Sequence, residues 1–472
     1  MEVKFLGSTS REDLERNAQI VAAAGKLSRF NGNVFEVLED CNDFEKNVKF
    51  IERIIKMGHE SITDHNYMVF AIKGVSPVIE QTIIEERMSS FTIKSRREVN
   101  FANVGYYIPD FHDKEGNIMP NNNELKEQYC SHMQYLFNSY QKFIDLGISK
   151  EDSRFVLPYS YHSEIIMGLD AHCIKNMIIE FTKGVKSNIS EIREFGEMLA
   201  TIFKEQAPYY TNIIGATPIH NIDKVRQLLD TFVEDTSYKV IDKPAILNHT
   251  LDIDATILIS AIMYKYQFDD KQAKNIYECY LKNDEQMCKK IMKAIYIEDQ
   301  KVLSQVSFQL EMPYSLASLT HITRHRTHWP LIPTFVPIHD LTQYKTPNSI
   351  ASKCPELYHT LFATNLKIYE QFKEQGIRDE DLIYFHLSGN TVNMVTNIDG
   401  RSLAWIIRLR TCSKAQWEIK ENFDEIRALL KSIAPIYSTI LGPDCETKRF
   451  CGEGKESCGK IKKLLLEGKA ND

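Results

Sequence analysis

The 472-residue sequence predicts a mixed helix-and-strand fold built twice in tandem, and three observations carry that expectation. Two helical patterns recur in the same order in each half, at matching intervals. Between them, each half holds a stretch of alternating apolar residues with the period of a strand. The length exceeds one ordinary core, by the rough guide of about 150 residues per domain, and no low-complexity linker separates the halves, so they are expected to pack together.

The elements follow in chain order. "HNYMVFAIKG" (65–74) alternates apolar and polar side chains and reads as a strand. "SPVIEQTIIEER" then opens with Ser76 as N-cap and Pro77 at the first helical position, and ends in Arg87. "HDKEGNIMPNNNE" reads as loop. "EIREFGEMLATIFKEQAP" places Ile192, Phe195, Leu199, Ile202 and Phe203 on one helical face and stops at Pro208. The stretch from His220 to Thr250 passes from a helical pattern to a Pro-containing segment and is the expected junction. The second half repeats the series: "SQVSFQLEM" as strand, "SLASLTHITRHR" from Ser315 to Arg326, and "EIKENFDEIRALLKSIAP" with Ile419, Phe423, Ile426, Leu430 and Ile433 on its apolar face. Ser76 to Arg87 equals Ser315 to Arg326, and Glu191 to Ala207 equals Glu418 to Ala434. Repeats over 1–225 and 240–472, joined by 226–239, are the expected organisation.

With 57 basic and 64 acidic residues the net charge is −7, so no general polyanion-binding surface is expected and any anion site must be local. Nucleic acid is thereby disfavoured. The opening "MEVKFLGSTSRED" lacks a signal peptide's apolar stretch, and the longest apolar run, around "ATILISAIMY", is far short of a membrane span. A cytoplasmic protein is the expectation. Seven cysteines are scattered, as reduced thiols are. Cys445, Cys451 and Cys458 cluster in a Gly-containing tail, where zinc held with Cys412 or a histidine competes with the preferred reading of free thiols. A metal at His59, Glu60, Asp64 and His65 is disfavoured, because no ligand pair there has a zinc-helix spacing.

Chemistry enters at Arg87. Ser90, Ser95 and Arg97 follow it, and hydroxyls and guanidinium groups after a helix end suit a phosphate cradle, with a solvated basic loop as the plain alternative. In the second half Arg326 takes the matching place, but Thr334 and Val336 stand where Ser95 and Arg97 would. That half has instead Arg324, His325 and Arg326 in a row, where the first has Glu85, Glu86 and Arg87. Each copy holds a different part of one motif.

Arg-His-Arg followed after seven residues by Ser is the signature of the flavin-dependent thymidylate synthases, and the chain resembles a tandem duplication of that family with the signature divided between copies. "GHESITDHNYMVFAIKGVSPVIEQ" resembles the family's Gly-His-Glu-Ser segment with its strand, "RFVLP" (154–158) its Arg-x-x-Leu-Pro segment, and "GRSLAWIIRLRTCSKAQWEIK" its Arg-Ser-Leu to Ala-Gln-Trp-Glu-Ile run. The likeness covers most of both halves. It implies an α+β fold in each repeat, the two packed as a pseudo-dimer, and methylation of dUMP, or a related pyrimidine nucleotide, to dTMP with FAD, NADPH and methylenetetrahydrofolate. Arg324, His325 and Arg326 match the flavin-contacting row, the first also near the nucleotide. Ser61 and Arg401 match further flavin contacts. Ser95, Arg97 and Arg154 match dUMP ligands, with Arg87 beside them, and Arg410 matches the residue that polarises the uracil ring. No nucleophilic side chain is implied, since the cofactor does the chemistry.

Departures bound the resemblance. Phe181 stands where a first-half Arg410 would fall and Ile383 where a second-half Arg154 would, so neither half carries a complete set. Asp399 replaces the family's usual Asn, and Ile93 and Lys94 replace acidic or amide residues inside the signature. Trp329 either stacks on a ring or caps the core, the core being preferred. The expected outcome is one composite site per chain, with the opposite pseudo-site (Glu85, Glu86, Phe181, Val336, Ile383) unable to hold phosphate, and a homodimer of the tandem chain. A catalytically impaired nucleotide- or flavin-binding pseudoenzyme is the alternative.

Overall fold

A computed structural model describes residues 1–11, 13–233, 239–333 and 341–469. Thr334 and Val336 lie outside them. The chain forms two compact units, 1–238 with 335–390, and 239–334 with 391–472. Each contains one four-stranded antiparallel sheet.

The two sheets have one topology. In the first unit β1 (Glu2–Ser8), β2 (Tyr67–Val75), β3 (Ser90–Ile93) and β4 (Ser163–Asp170) lie in the order β1-β2-β4-β3. In the second, β5 (Ala245–His249), β6 (Ser307–Ser315), β7 (His328–Leu331) and β8 (Thr391–Asp399) lie in the order β5-β6-β8-β7. Registers match as well, since Ser90 pairs with Gly168 as Trp329 pairs with Asn397. One residue breaks the equivalence: β2 shifts register between Lys73 and Val75, where Gly74 takes φ +70°, while β6 pairs with β8 without interruption. A bulge of this kind uses a glycine because other residues strain at positive φ.

The helices also recur. The first repeat contains α1 (Leu14–Leu27), α2 (Phe44–Lys56), α3 (Pro77–Glu85), α4 (Asn122–Asp145), α5 (Ala171–Lys183) and α6 (Ser190–Gln206). The second contains α7 (Ile253–Tyr266), α8 (Glu285–Glu298), α9 (Leu316–Thr323), α10 (Pro355–Glu374), α11 (Gly400–Arg410) and α12 (Trp417–Ile433). Both repeats are therefore α+β, as expected. Among the described residues no helix is long and apolar enough to cross a membrane.

α3 and α9 are the hearts of their units. Every residue of α3 from Pro77 to Ile84 is buried, and so is every residue of α9. A helix without a polar face belongs inside a core, and each of Val78, Ile79, Ile83 and Ile84 contributes roughly 1.5–3 kcal/mol by leaving water. Both buried N-termini are closed by a serine seated on a buried carboxylate. Ser76 caps α3 and Ser315 caps α9. The backbone N–H and hydroxyl of each serine donate to one buried carboxylate, Glu191 at 2.7 Å from Ser76 N and Glu418 at 2.6 Å from Ser315 N. A carboxylate there meets both the unpaired amides and the positive helix end. The equal intervals in the sequence are the trace of this shared buried cap.

Residues 335–390, though second-repeat sequence, cluster in the first unit. α10 lies beside α4, where His132 Nε2 meets Asn365 Oδ1 at 2.8 Å and Asn365 Nδ2 donates to the Phe385 carbonyl at 2.8 Å. Asp381 accepts from Arg378 Nε and Nη2 and from the His112 backbone N–H. Tyr384 donates to Glu191 at 3.0 Å.

Candidate functional site

In the first unit the residues read as substrate ligands converge around Glu151. The loop after β3 carries Ser95, Arg96 and Arg97, and Ser95 Oγ accepts the Arg97 backbone N–H at 3.3 Å. The Arg97 guanidinium pairs with the Glu151 carboxylate, Nε to Oε1 at 3.0 Å. Arg154 Nε donates to the Glu151 backbone carbonyl at 3.1 Å, and Arg154 is 2% exposed. So large a buried cation needs fixed acceptors nearby. Ser95, Arg97 and Arg154 thus belong to one cluster, and Glu151 joins them.

Arg96 fixes the loop. Its guanidinium pairs with Glu80 of α3 at 2.7 Å, the side chains 8% and 1% exposed, and it lies 5.2 Å from the Tyr161 ring centroid. With Arg96 turned into the core, the residues on either side are held at its edge, Ser95 exposed and Arg97 half-buried. In α9 the place of Glu80 is taken by Leu319, so the anchor belongs to the first repeat alone.

Arg87 serves its own helix. Its Nε donates to Glu85 O at 3.3 Å and its Nη2 to Ile84 O, the carbonyls left unpaired at the end of α3. Ser61 lies exposed in the 3-10 turn Glu60–His65 before β2.

In the second unit two distant motifs meet. Arg410, the last residue of α11, donates from Nε to His325 Nε2 at 2.9 Å. That nitrogen must then be an acceptor, so any ring proton sits on Nδ1 and His325 is neutral in this arrangement. Arg324 closes the end of α9, its Nε donating to Thr320 O at 3.2 Å, and the Arg324 and Arg326 side chains are exposed. Arg401, in the first turn of α11, is also exposed. Tyr314 is buried, and desolvation, with Glu418 next, pushes its phenol up while Arg410 opposes the shift. Among the described residues its hydroxyl has no hydrogen-bond partner.

Asp399 has a structural task. It is the N-cap of α11, accepting from Ser402 N at 3.0 Å and Ser402 Oγ at 2.7 Å, and from Ser304 Oγ at 3.1 Å. Asp170 caps α5 in the same way, through Cys173 N at 2.8 Å.

The matched positions in the opposite repeat have been turned to structure. Phe181, opposite Arg410, is buried against Phe195, and a Cβ added at the neighbouring Gly196 would come 2.7 Å from the Phe181 Cβ. Ile383, opposite Arg154, is buried. Glu85, opposite Arg324, pairs with Lys186 at 2.8 Å. Ser89 and His328 show the same skeleton under different chemistry: Ser89 Oγ donates to Ile83 O at 2.9 Å, and His328 Nε2 to the equivalent carbonyl of Ile322 at 3.1 Å.

One expectation fails. Trp329 does not cap the core; it is 70% exposed on β7, with Leu331 71% exposed beside it. β7 is an edge strand, and both residues point to the face away from buried His328. Among the described residues no three His, Cys, Asp or Glu side chains are grouped to hold a metal, the tail cysteines included.

Sequence reasoning missed Glu80, Arg96 and Glu151. Glu80, set among the apolar Val78, Ile79, Ile83 and Ile84, was the available signal, because a buried helix carries such a group only with a partner.

Fold and clusters define a tandemly duplicated α+β protein with separate cationic groups in its two units. The model of the Thymidylate synthase complementing protein family matches twice, over residues 12–209 and 245–436, and the chain belongs to that family. It is 28% identical over 191 residues to a flavin-dependent thymidylate synthase of Clostridium tetani, covering 37% of this chain and 72% of the relative. A flavin-dependent thymidylate synthase of Geobacter sulfurreducens is 27% identical over 153 residues, covering 32% of this chain and 62% of the relative. The solved structure of the UMP/dUMP methylase PolB from Streptomyces cacaoi, bound with 5-Br dUMP, matches with a TM-score of 0.38 and 21% identity, covering 47% of this chain and 97% of that one.

Proposed function

We propose that this chain methylates dUMP, or a related pyrimidine nucleotide, in a flavin-dependent reaction in the cytoplasm, with methylenetetrahydrofolate and NADPH as cosubstrates and one site per chain. The carrying observation is the complementary division of residues. Arg97 and Arg154 meet at Glu151 in one repeat, with Ser95 on the Arg97 loop; His325 and Arg410 meet in the other, with Arg324 beside His325 in sequence; and the opposite positions Phe181 and Ile383 are core residues. Decay of both copies together would not leave each with what its twin lacks. Site residues drawn from both repeats would make one complete set, with Ser61 on the flavin side, and two copies of the chain as the assembly.

The donor set fits FAD. A dinucleotide cofactor brings a pyrophosphate, and Arg324, Arg326 and Arg401 present exposed guanidinium groups that match phosphate oxygens. When bound, the flavin supplies hydride chemistry at the pyrimidine. The protein's residues do the rest by binding and orientation. Ser95, Arg97 and Arg154 hold the nucleotide phosphate, with Glu151 exchanging its hold on Arg97 for the ligand. Arg410, oriented by neutral His325, places its remaining N–H donors against a pyrimidine carbonyl and stabilises charge that develops there.

The pseudoenzyme reading is favoured by one contact, the Glu151 carboxylate already seated on Arg97. Growth of a thymidylate-deficient bacterium separates the two. The enzyme supports growth without thymidine and titrates one flavin per chain. Flavin or nucleotide binding without growth would establish the pseudoenzyme, and two flavins per chain would refute the single site.

A further inference from the structure

A second cationic site lies in the second unit, lined by none of the residues assigned above to nucleotide or flavin. A cavity of about 680 Å³ is lined by Lys289 and Lys293 of α8, Arg427 of α12, and Lys448 and Arg449 of the segment after Pro443. In a chain of net charge −7 this is a local reversal of sign. The carboxylates present are shared. Glu446 accepts from both Arg427 and Lys460, at 2.6 Å each, and Asp444 is held by Arg408 at 2.7 Å and by Lys448 at 3.3 Å. Lys289 has its partner in Glu285, at 2.5 Å. One carboxylate divided between two cations leaves a surplus of positive charge, and a concave wall concentrates its field. Lys448 also lies over the Tyr296 ring at 5.3 Å, so the cationic wall borders an aromatic one.

We propose that this cavity binds the polyphosphate group of a small molecule. Several separate cations converging on one space suit an anion with several charged oxygens, each phosphate meeting its own donor. A single carboxylate would leave most of the cavity's charge unmet. Two sources carry this chemistry, a nucleoside triphosphate and an inorganic polyphosphate. Three of the lining residues, Thr447, Lys448 and Arg449, precede Cys451, so a bound polyphosphate would also tie the Cys-containing tail to α8 and α12.

The full chain is titrated calorimetrically with sodium tripolyphosphate and, separately, with ATP at physiological salt. Binding should weaken tenfold or more in Lys293→Glu and again in Arg449→Gln, and stay unchanged in Lys56→Gln, an exposed lysine at the end of α2 that belongs to neither cluster. Lys293 is exposed on α8, so its exchange should leave the thermal unfolding midpoint unaltered, with Lys293→Gln as the milder companion. ATP binding tenfold tighter than tripolyphosphate assigns a nucleotide, and equal affinities assign the phosphates alone. No binding of either probe, binding indifferent to both Lys293 variants, or binding lost equally in Lys56→Gln would overturn the proposal.

Discussion

Arg96→Met tests how the first repeat holds its candidate ligands. The substitution removes one member of an ion pair whose partners are 2.7 Å apart and 8% and 1% exposed, leaving the Glu80 carboxylate stranded inside α3. Removing one partner of a buried pair costs about 3–5 kcal/mol, because the remaining charge keeps its desolvation penalty without compensation. The lost contact with Tyr161, at 5.2 Å, adds up to about 1 kcal/mol. Urea unfolding should therefore show a large loss of stability. The double variant Arg96→Met with Glu80→Leu, which borrows the residue that α9 carries, should recover most of it. Nucleotide affinity should not recover, since Ser95 and Arg97 would still lack their anchor; a loss of about tenfold, near 1.4 kcal/mol, is expected in both variants. A stability loss below about 1 kcal/mol in Arg96→Met, or full nucleotide affinity in the double variant, would refute the anchoring argument.

Arg410→Ala should abolish turnover while flavin remains bound, measured by dTMP formation and by visible absorbance of the purified protein; unchanged turnover would remove Arg410 from the site. Trp329→Ala should change stability by less than about 0.5 kcal/mol, as surface substitutions do, and a larger loss in chemical unfolding would mean a packing role. Burial raises the Glu191 carboxyl from 4.5 to about 7, against the Ser76 and Tyr384 hydrogen bonds that oppose the shift. The folded chain therefore holds this proton more tightly than the unfolded one. Its contribution is complete below pH 4.5 and is lost as pH rises through about 7, so Glu191→Gln should flatten that fall in a pH series of unfolding midpoints.

The parts of the fold written locally were legible. Ser76 with Pro77, the helical spacing from Ile192 to Phe203 and the alternation in "HNYMVFAIKG" each declare an element within a few residues, and α3, α6 and β2 lie there. The parts made by distant pairs were not. Arg97 and Glu151 are 54 residues apart and Arg96 and Glu80 are 16 apart across a strand, and no local pattern links either pair. "KSRR" looks like a run of solvated charge, yet its third residue is buried and its fourth is half-buried. Trp329 misled in the opposite sense, because a large aromatic beside two prolines resembles a core residue until strand pairing puts it on an outer face. Asp399 stands as a departure from the family's asparagine, yet its first duty is to close α11.

The division between repeats follows from what a lost residue is free to become. An arginine in an anion site is costly to keep once its ligand is gone, since its charge must stay hydrated or find a partner. Phe181 shows one end of that path, a position filled by a ring packed on Phe195 with Gly196 leaving it room. Glu85 shows another, its charge reversed relative to Arg324 and taken up by Lys186. Arg87 shows a third. It has kept the guanidinium but turned it onto the Ile84 and Glu85 carbonyls at the end of α3, while the matching Arg326 is exposed after α9. What neither repeat has altered is the pair of carboxylates under the helix caps, Glu191 beneath Ser76 and Glu418 beneath Ser315. Those groups hold the two core helices in place whichever ligands surround them. The chain thus separates the residues that fix the fold, kept in duplicate, from the residues of the candidate site, kept once.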